Sequence, residues 1–159
     1  MNALRRASSI GLLSSTGLLT CVCGIGLLAC LCAAQEASRS VWDGVYTTEQ
    51  SKRGEALYAR ECASCHGDLL TGGEQAPPLA GGEFLSNWTG LTAGDLFERI
   101  RKTMPMNKPG KLSREVNADI LAFMLAVNKF PAGKTELSQN TEVLNQIRIE
   151  ATKPNGDKK

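Results

Sequence analysis

The chain has 159 residues, 42% of them hydrophobic, with 18 basic and 16 acidic side chains, a formal charge of +2 and a single histidine. That length supplies one modest core plus short extra segments. Its six cysteines are unevenly placed: Cys21, Cys23, Cys30 and Cys32 lie near the N-terminus, and Cys62 and Cys65 stand alone in the remainder.

Arg5 and Arg6 precede an uncharged stretch from Ala7 to Gln35 that contains Leu12, Leu13, Leu18, Leu19, Leu27 and Leu28. This layout predicts a signal peptide over residues 1–34, cleaved near Ala34. A retained N-terminal membrane anchor is the alternative, because the run reaches the roughly 20 residues that span a bilayer. Leu27-Leu28-Ala29-Cys30 also resembles a lipobox, which would put a lipid on Cys30. All three options export the rest of the chain to the periplasm, free or membrane-attached. Cleavage would leave Cys62 and Cys65 as the only thiols and a formal charge of zero, with 16 basic and 16 acidic residues. A neutral chain argues against a nucleic-acid partner.

Residues 35–46 read as a short polar linker in which Trp42 and Tyr46 can pack against the domain surface, and residues 47–135 as the domain itself. Thr47 or Thr48 offers an N-cap, Glu49 enters the first turn, and Ala56, Leu57 and Ala59 continue a helical pattern up to Cys62. Gly54 inside that helix costs about 1 kcal/mol relative to Ala, which implies close approach of another helix.

The first helix delivers Cys62-Ala63-Ser64-Cys65-His66, a C-x-x-C-H run. Two thiols at this spacing can form thioether bonds to haem vinyl groups while the adjacent imidazole ligates iron. A thioredoxin-like redox pair needs a βαβ setting that the flanks do not provide. A zinc site would have only three ligands, with no second ligand pair elsewhere. Once the leader is cleaved, an unpaired C-x-x-C in an oxidising compartment fits thiols consumed by thioether bonds.

From Gly67 to Gly90 the sequence is rich in glycine, carries Pro77 and Pro78, and shows little periodicity, so a loop wrapped around the haem is expected. Thr92 and Asp95 form a capping box, and Leu96, Phe97 and Ile100 mark the apolar face of a second helix ending near Thr103. Pro105 and Pro109-Gly110 then break the pattern. Ser113 caps a third helix with Val116, Ile120, Phe123, Met124 and Val127 at helical spacing, ended by Pro131, and its Ile120 and Phe123 face is expected to cross the first helix near Gly54 and Tyr58. Residues 136–159 form a C-terminal extension with enough apolar residues for a short helix or strand on the domain, followed by a frayed end.

With one histidine, bis-His ligation within the chain is impossible, and the sixth position falls to Met, Lys, water or nothing. Met124 sits mid-helix as core filling, whereas Met104 and Met106 flank Pro105 in an irregular segment suited to return over the other haem face.

The chain resembles the class I c-type cytochromes, and within them the small exported cytochromes associated with quinoprotein dehydrogenases. The resemblance rests on the C-x-x-C-H run and on Ala76-Pro77-Pro78-Leu79, Phe84-Leu85 with Trp88, Gly94-Asp95-Leu96-Phe97, Thr103-Met104-Pro105, Pro109-Gly110-Lys111-Leu112-Ser113, Asp119-Ile120-Leu121-Ala122-Phe123 and Asn128-Lys129-Phe130-Pro131-Ala132-Gly133, over about residues 45 to 150. It implies an all-α, cytochrome c-like fold of three to four core helices around one covalent haem c. It further implies Met104 as the axial ligand opposite His66, the Pro77 carbonyl as acceptor for the second ring nitrogen of His66, and Leu79, Phe84 and Trp88 against the porphyrin. Asn117 departs from the pattern, since relatives often carry an aromatic residue there.

These parts imply an electron carrier, not an enzyme, shuttling single electrons from a periplasmic dehydrogenase to a cytochrome or oxidase acceptor. Arg99, Arg101, Lys102, Lys108 and Lys111 surround the Met segment and are expected to dock an acidic partner rim. Two other readings stand: a haem subunit of a larger dehydrogenase or oxidase complex, and a haem enzyme or gas sensor with a displaceable Met.

Overall fold

The structure is a computed structural model and describes residues 39–74 and 76–155. The leader expected over residues 1–34 lies outside the described residues, and none of the described helices is long and apolar enough to cross a membrane.

Among the described residues, six α-helices carry the fold, with little strand. Helix α1 (Thr48–Glu61) begins where the Thr47 side chain accepts from the Gln50 amide, so Thr47 is the cap. One residue later α2 (Ala63–His66) follows, a single turn made of the last four residues of the C-x-x-C-H run. Helices α3 (Gly81–Trp88), α4 (Ala93–Thr103) and α5 (Arg114–Val127) come next. The Thr92–Asp95 capping box of α4 is formed in both directions, and the Ser113 hydroxyl caps α5 through the Val116 amide.

The central contact is the crossing of α1 and α5. At Gly54 the two backbones approach so closely that a Cβ there would lie 1.8 Å from the Asp119 carbonyl oxygen and 2.9 Å from the Phe123 Cβ. The Tyr58 and Phe123 rings meet beside it with centroids 5.3 Å apart. The buried Asp119 carboxylate takes both Arg53 nitrogens, at 3.0 and 3.1 Å, which closes the crossing on its polar side. The helix-crossing position anticipated from Gly54 and Tyr58 is therefore present.

Two segments are more ordered than the sequence suggests. The stretch Gly67 to Gly90 is not loop throughout, because Gly81–Trp88 forms α3 with Phe84 buried beneath it. Residues 39–46, expected as a polar linker with Trp42 and Tyr46 packing on the domain, are built into the fold. Strand β1 (Arg39–Ser40) pairs in parallel with β2 (Ile147–Arg148), Val41, Val45 and Tyr46 are buried, and the Trp42 indole donates to the Glu150 carbonyl at 2.9 Å. Burial of these side chains outweighs the polar average of the segment.

The C-terminal extension makes α6 (Thr141–Leu144) and β2 and contributes Leu137, Leu144, Ile147 and Ile149 to the core. Gln50 of α1 anchors it, donating to the Leu137 carbonyl at 3.0 Å and accepting from the Leu137 amide at 2.6 Å. Gly94 of α4 lets Asn145 lie flush against the helix, since a Cβ there would come within 1.9 Å of the Asn145 side-chain oxygen.

Candidate haem-binding site

The end of α1 fixes the first thiol. The Cys62 amide donates to the Tyr58 carbonyl, and the His66 amide donates to the Cys62 carbonyl at 3.1 Å, so Cys62, Cys65 and His66 are set by one continuous turn. Tyr58 reinforces it from below, its hydroxyl donating to the Gly67 carbonyl at 2.7 Å. Neither cysteine is in a disulfide; Cys65 is exposed and Cys62 half-buried. Burial, with smaller contributions from Glu61 and Cys65, pushes the Cys62 thiol up to about 11. A thiol-redox C-x-x-C needs the opposite shift, toward thiolate.

His66 is buried, and its Nδ1 lies 2.9 Å from the Pro77 carbonyl. A carbonyl can only accept, so Nδ1 carries the proton and Nε2 keeps its lone pair for a metal. The loop that delivers Pro77 is held at several points. The Gly72 amide donates to the His66 carbonyl, and Leu79 donates to the carbonyl of the buried Leu70. Asn128, just past α5, donates to the Leu79 carbonyl at 3.0 Å and accepts from the Gly81 amide at 3.0 Å. Leu70 and Asn128 were not singled out from the sequence for this work. Asn128 was visible only as part of a family-like run, and its bond to a residue 49 positions away has no local signal.

Leu79, Trp88 and Met104 are half-buried against the core, and Phe84 is fully buried with its ring centroid 6.4 Å from that of Trp88. Met106 is 77% exposed and Met124 is 1% exposed within the core. Met104 is thus the methionine of the irregular segment that packs on the domain. Asn117 is fully buried, its amide nitrogen donating to the Leu112 and Ser113 carbonyls while its oxygen has no partner.

The basic cluster is partly neutralised. Arg101 and Lys102 both bind Glu98, at 2.7 and 3.0 Å, and Lys108 binds Glu61 at 3.0 Å. Among the described residues, Arg99 and Lys111 are the members of this cluster that make no ion pair.

A family model described as cytochrome c oxidase, cbb3-type, subunit III matches residues 49–124, from the first turn of α1 to the crossing face of α5. The domain is a class I c-type cytochrome. Among solved structures the cytochrome is similar to a chain of the sulfane dehydrogenase SoxCD from Paracoccus pantotrophus, at 25% identity and a TM-score of 0.47, over 67% of this chain. It spans 61% of the length of that SoxCD chain. The comparison with curated proteins returned no match.

A c-type cytochrome domain carries covalently bound haem c. The cytochrome's residues fit that group: two unpaired thiols on one turn, an imidazole with a free Nε2, and half-buried apolar side chains from separate segments.

Proposed function

We propose that the cytochrome is an exported electron carrier holding one haem c through thioethers at Cys62 and Cys65, with His66 and Met104 as axial ligands. In this reading it passes single electrons from a periplasmic dehydrogenase, of the quinoprotein kind, to a downstream cytochrome or oxidase. The observation that carries the reading is the His66 Nδ1 contact with the Pro77 carbonyl, because it selects the tautomer a metal ligand requires and stiffens the ring. The difference in exposure between Met104 and Met106 supports Met104 as the sulfur ligand. Leu79, Phe84 and Trp88 would supply the apolar wall that keeps water from the macrocycle. When bound, the haem supplies a one-electron couple, whose potential thioether ligation raises within the roughly 0.8 V range open to axial ligands.

The test is expression in a host competent for cytochrome maturation. Intact mass should show one covalent haem, absent from a Cys62→Ser, Cys65→Ser double variant. Ferric protein should show a thioether-to-iron charge-transfer band that Met104→Ala abolishes and Met106→Ala retains. Colourless protein, or an unchanged spectrum in Met104→Ala, would overturn the reading.

A second reading, a haem subunit of a larger dehydrogenase or oxidase complex, is favoured by the oxidase-subunit description of the matching family model. Native-mass measurement of the protein purified from its own membranes separates the two. A lone chain supports the shuttle, and a stable heteromeric assembly supports the subunit.

A further inference from the structure

We propose that Lys108 and Glu61 form a latch that holds the Met104-bearing loop closed against the haem-attachment segment. The inference rests on Met104 being the sulfur ligand and concerns how that ligand is kept in place. Residues 105–111, between α4 and α5, contain no helix or strand, only two internal turns, from the Lys108 amide to the Pro105 carbonyl and from the Lys111 amide to the Lys108 carbonyl. Its two ends are tied to neighbouring helices. The Met104 amide donates to the Ile100 carbonyl of α4, and Asn117 of α5 donates to the Leu112 carbonyl. Between those ends, the Lys108 Nζ to Glu61 Oε2 contact at 3.0 Å is, among the described residues, the one hydrogen bond or ion pair joining residues 105–111 to α1 or α2.

Its placement suits a latch. Glu61 directly precedes Cys62, and Lys108 follows Met104 by four residues, so the pair spans from the covalent attachment point to the ligand loop. The Glu61 side chain is only 11% exposed and its other oxygen accepts from Arg60 at 2.9 Å, so a second partner orients the carboxylate that Lys108 meets. A pre-oriented, half-shielded carboxylate attracts more strongly than a mobile surface one. Of the other cations around the loop, Arg101 and Lys102 are committed to Glu98, which leaves Lys111 as the nearby unpaired control. Lys108 is therefore a positioning residue, acting on Met104 through the loop.

Loop opening is read by an exogenous ligand that must wait for Met104 to leave. In stopped-flow mixing of ferric holoprotein with imidazole, Lys108→Gln and Glu61→Gln should each bind about threefold to fivefold faster than the parent, the range set by a partly exposed ion pair of up to about 1 kcal/mol. The Lys108→Gln, Glu61→Gln double variant should be no faster than either single one, and the charge-swapped Lys108→Glu, Glu61→Lys variant should return toward the parent rate. Lys111→Gln, which removes a nearby cation without a partner, should leave the rate unchanged, and high salt should accelerate only variants with the pair intact. Single variants that match the parent while Met104→Ala binds imidazole fast would overturn the latch and leave the Met104 assignment standing. A parent that binds as fast as Met104→Ala would overturn both.

Discussion

Gly54→Ala isolates the α1–α5 crossing. In an open helix the substitution stabilises by about 1 kcal/mol, because alanine loses less backbone entropy than glycine. Here the new Cβ would sit 1.8 Å from the Asp119 carbonyl oxygen, 2.6 Å from its carbon and 2.9 Å from the Phe123 Cβ. Two of these three atoms are backbone, so no rotamer change relieves the clash and the helices must separate by more than an ångström. Overpacking of a well-packed core costs about 1–3 kcal/mol or more, and a backbone-limited clash belongs at the upper end. Subtracting the propensity gain leaves a net loss of about 2 kcal/mol, or a drop in Tm on the order of 10 °C for a domain this size. Separation also draws Tyr58 away from Phe123 and loosens its bond to the Gly67 carbonyl, beside His66. The assay is thermal and guanidinium unfolding of the holoprotein followed by far-ultraviolet circular dichroism. Gly82→Ala serves as control: it lies in α3 with nothing within 4 Å of its new Cβ, and should be neutral or up to about 1 kcal/mol more stable. If Gly54→Ala melts at or above the parent temperature, the helices do not touch as closely as described and the reasoning fails.

Two further perturbations probe the C-terminal extension. Gln50→Leu leaves the Leu137 amide and carbonyl without partners in a buried setting, and should cost about 2–4 kcal/mol in denaturant unfolding; a loss no larger than that of an exposed Gln139→Leu change would refute the anchoring assigned to Gln50. Glu98 accepts from Arg101, Thr141 and Lys102, which hold its carboxyl well below the usual glutamate range. Its folded-state pKa lies below its unfolded one, so its contribution is complete above the unfolded value of about 4.3 and erodes as pH falls from there toward the folded value. Melts between neutrality and acid should show a decline below that point which is shallower in Glu98→Gln, and identical slopes would count against the assignment.

The core of the fold could be read from the chain because its signals are local. The Thr47 and Ser113 caps, the Thr92–Asp95 box and the apolar spacing of α5 each act within a few residues, and each is present in the structure. Gly54 was informative for the opposite reason, since an unfavourable helix residue implies a compensating neighbour. Helix α3 is illegible in the sequence because Gly81-Gly82 at its start is a poor helix signal and its apolar residues read equally well as cofactor contacts. The β1–β2 pairing has no local signature: each strand is two residues long and the partners lie more than a hundred positions apart. The thiols and imidazole were legible in the C-x-x-C-H run. The Lys108–Glu61 pair was not, because nothing in the sequence told which of five cations in the region was engaged and which were free.

The two-residue ladder between Arg39–Ser40 and Ile147–Arg148 has a mechanical consequence. Because the ladder is parallel, the chain enters at its Arg39–Ile147 end and leaves at its Ser40–Arg148 end, where the Trp42 indole holds the Glu150 carbonyl. Any tether pulling on either flank therefore loads this small clamp first, and tension is spent there before it reaches the helix crossing or the turn that carries Cys62 and His66.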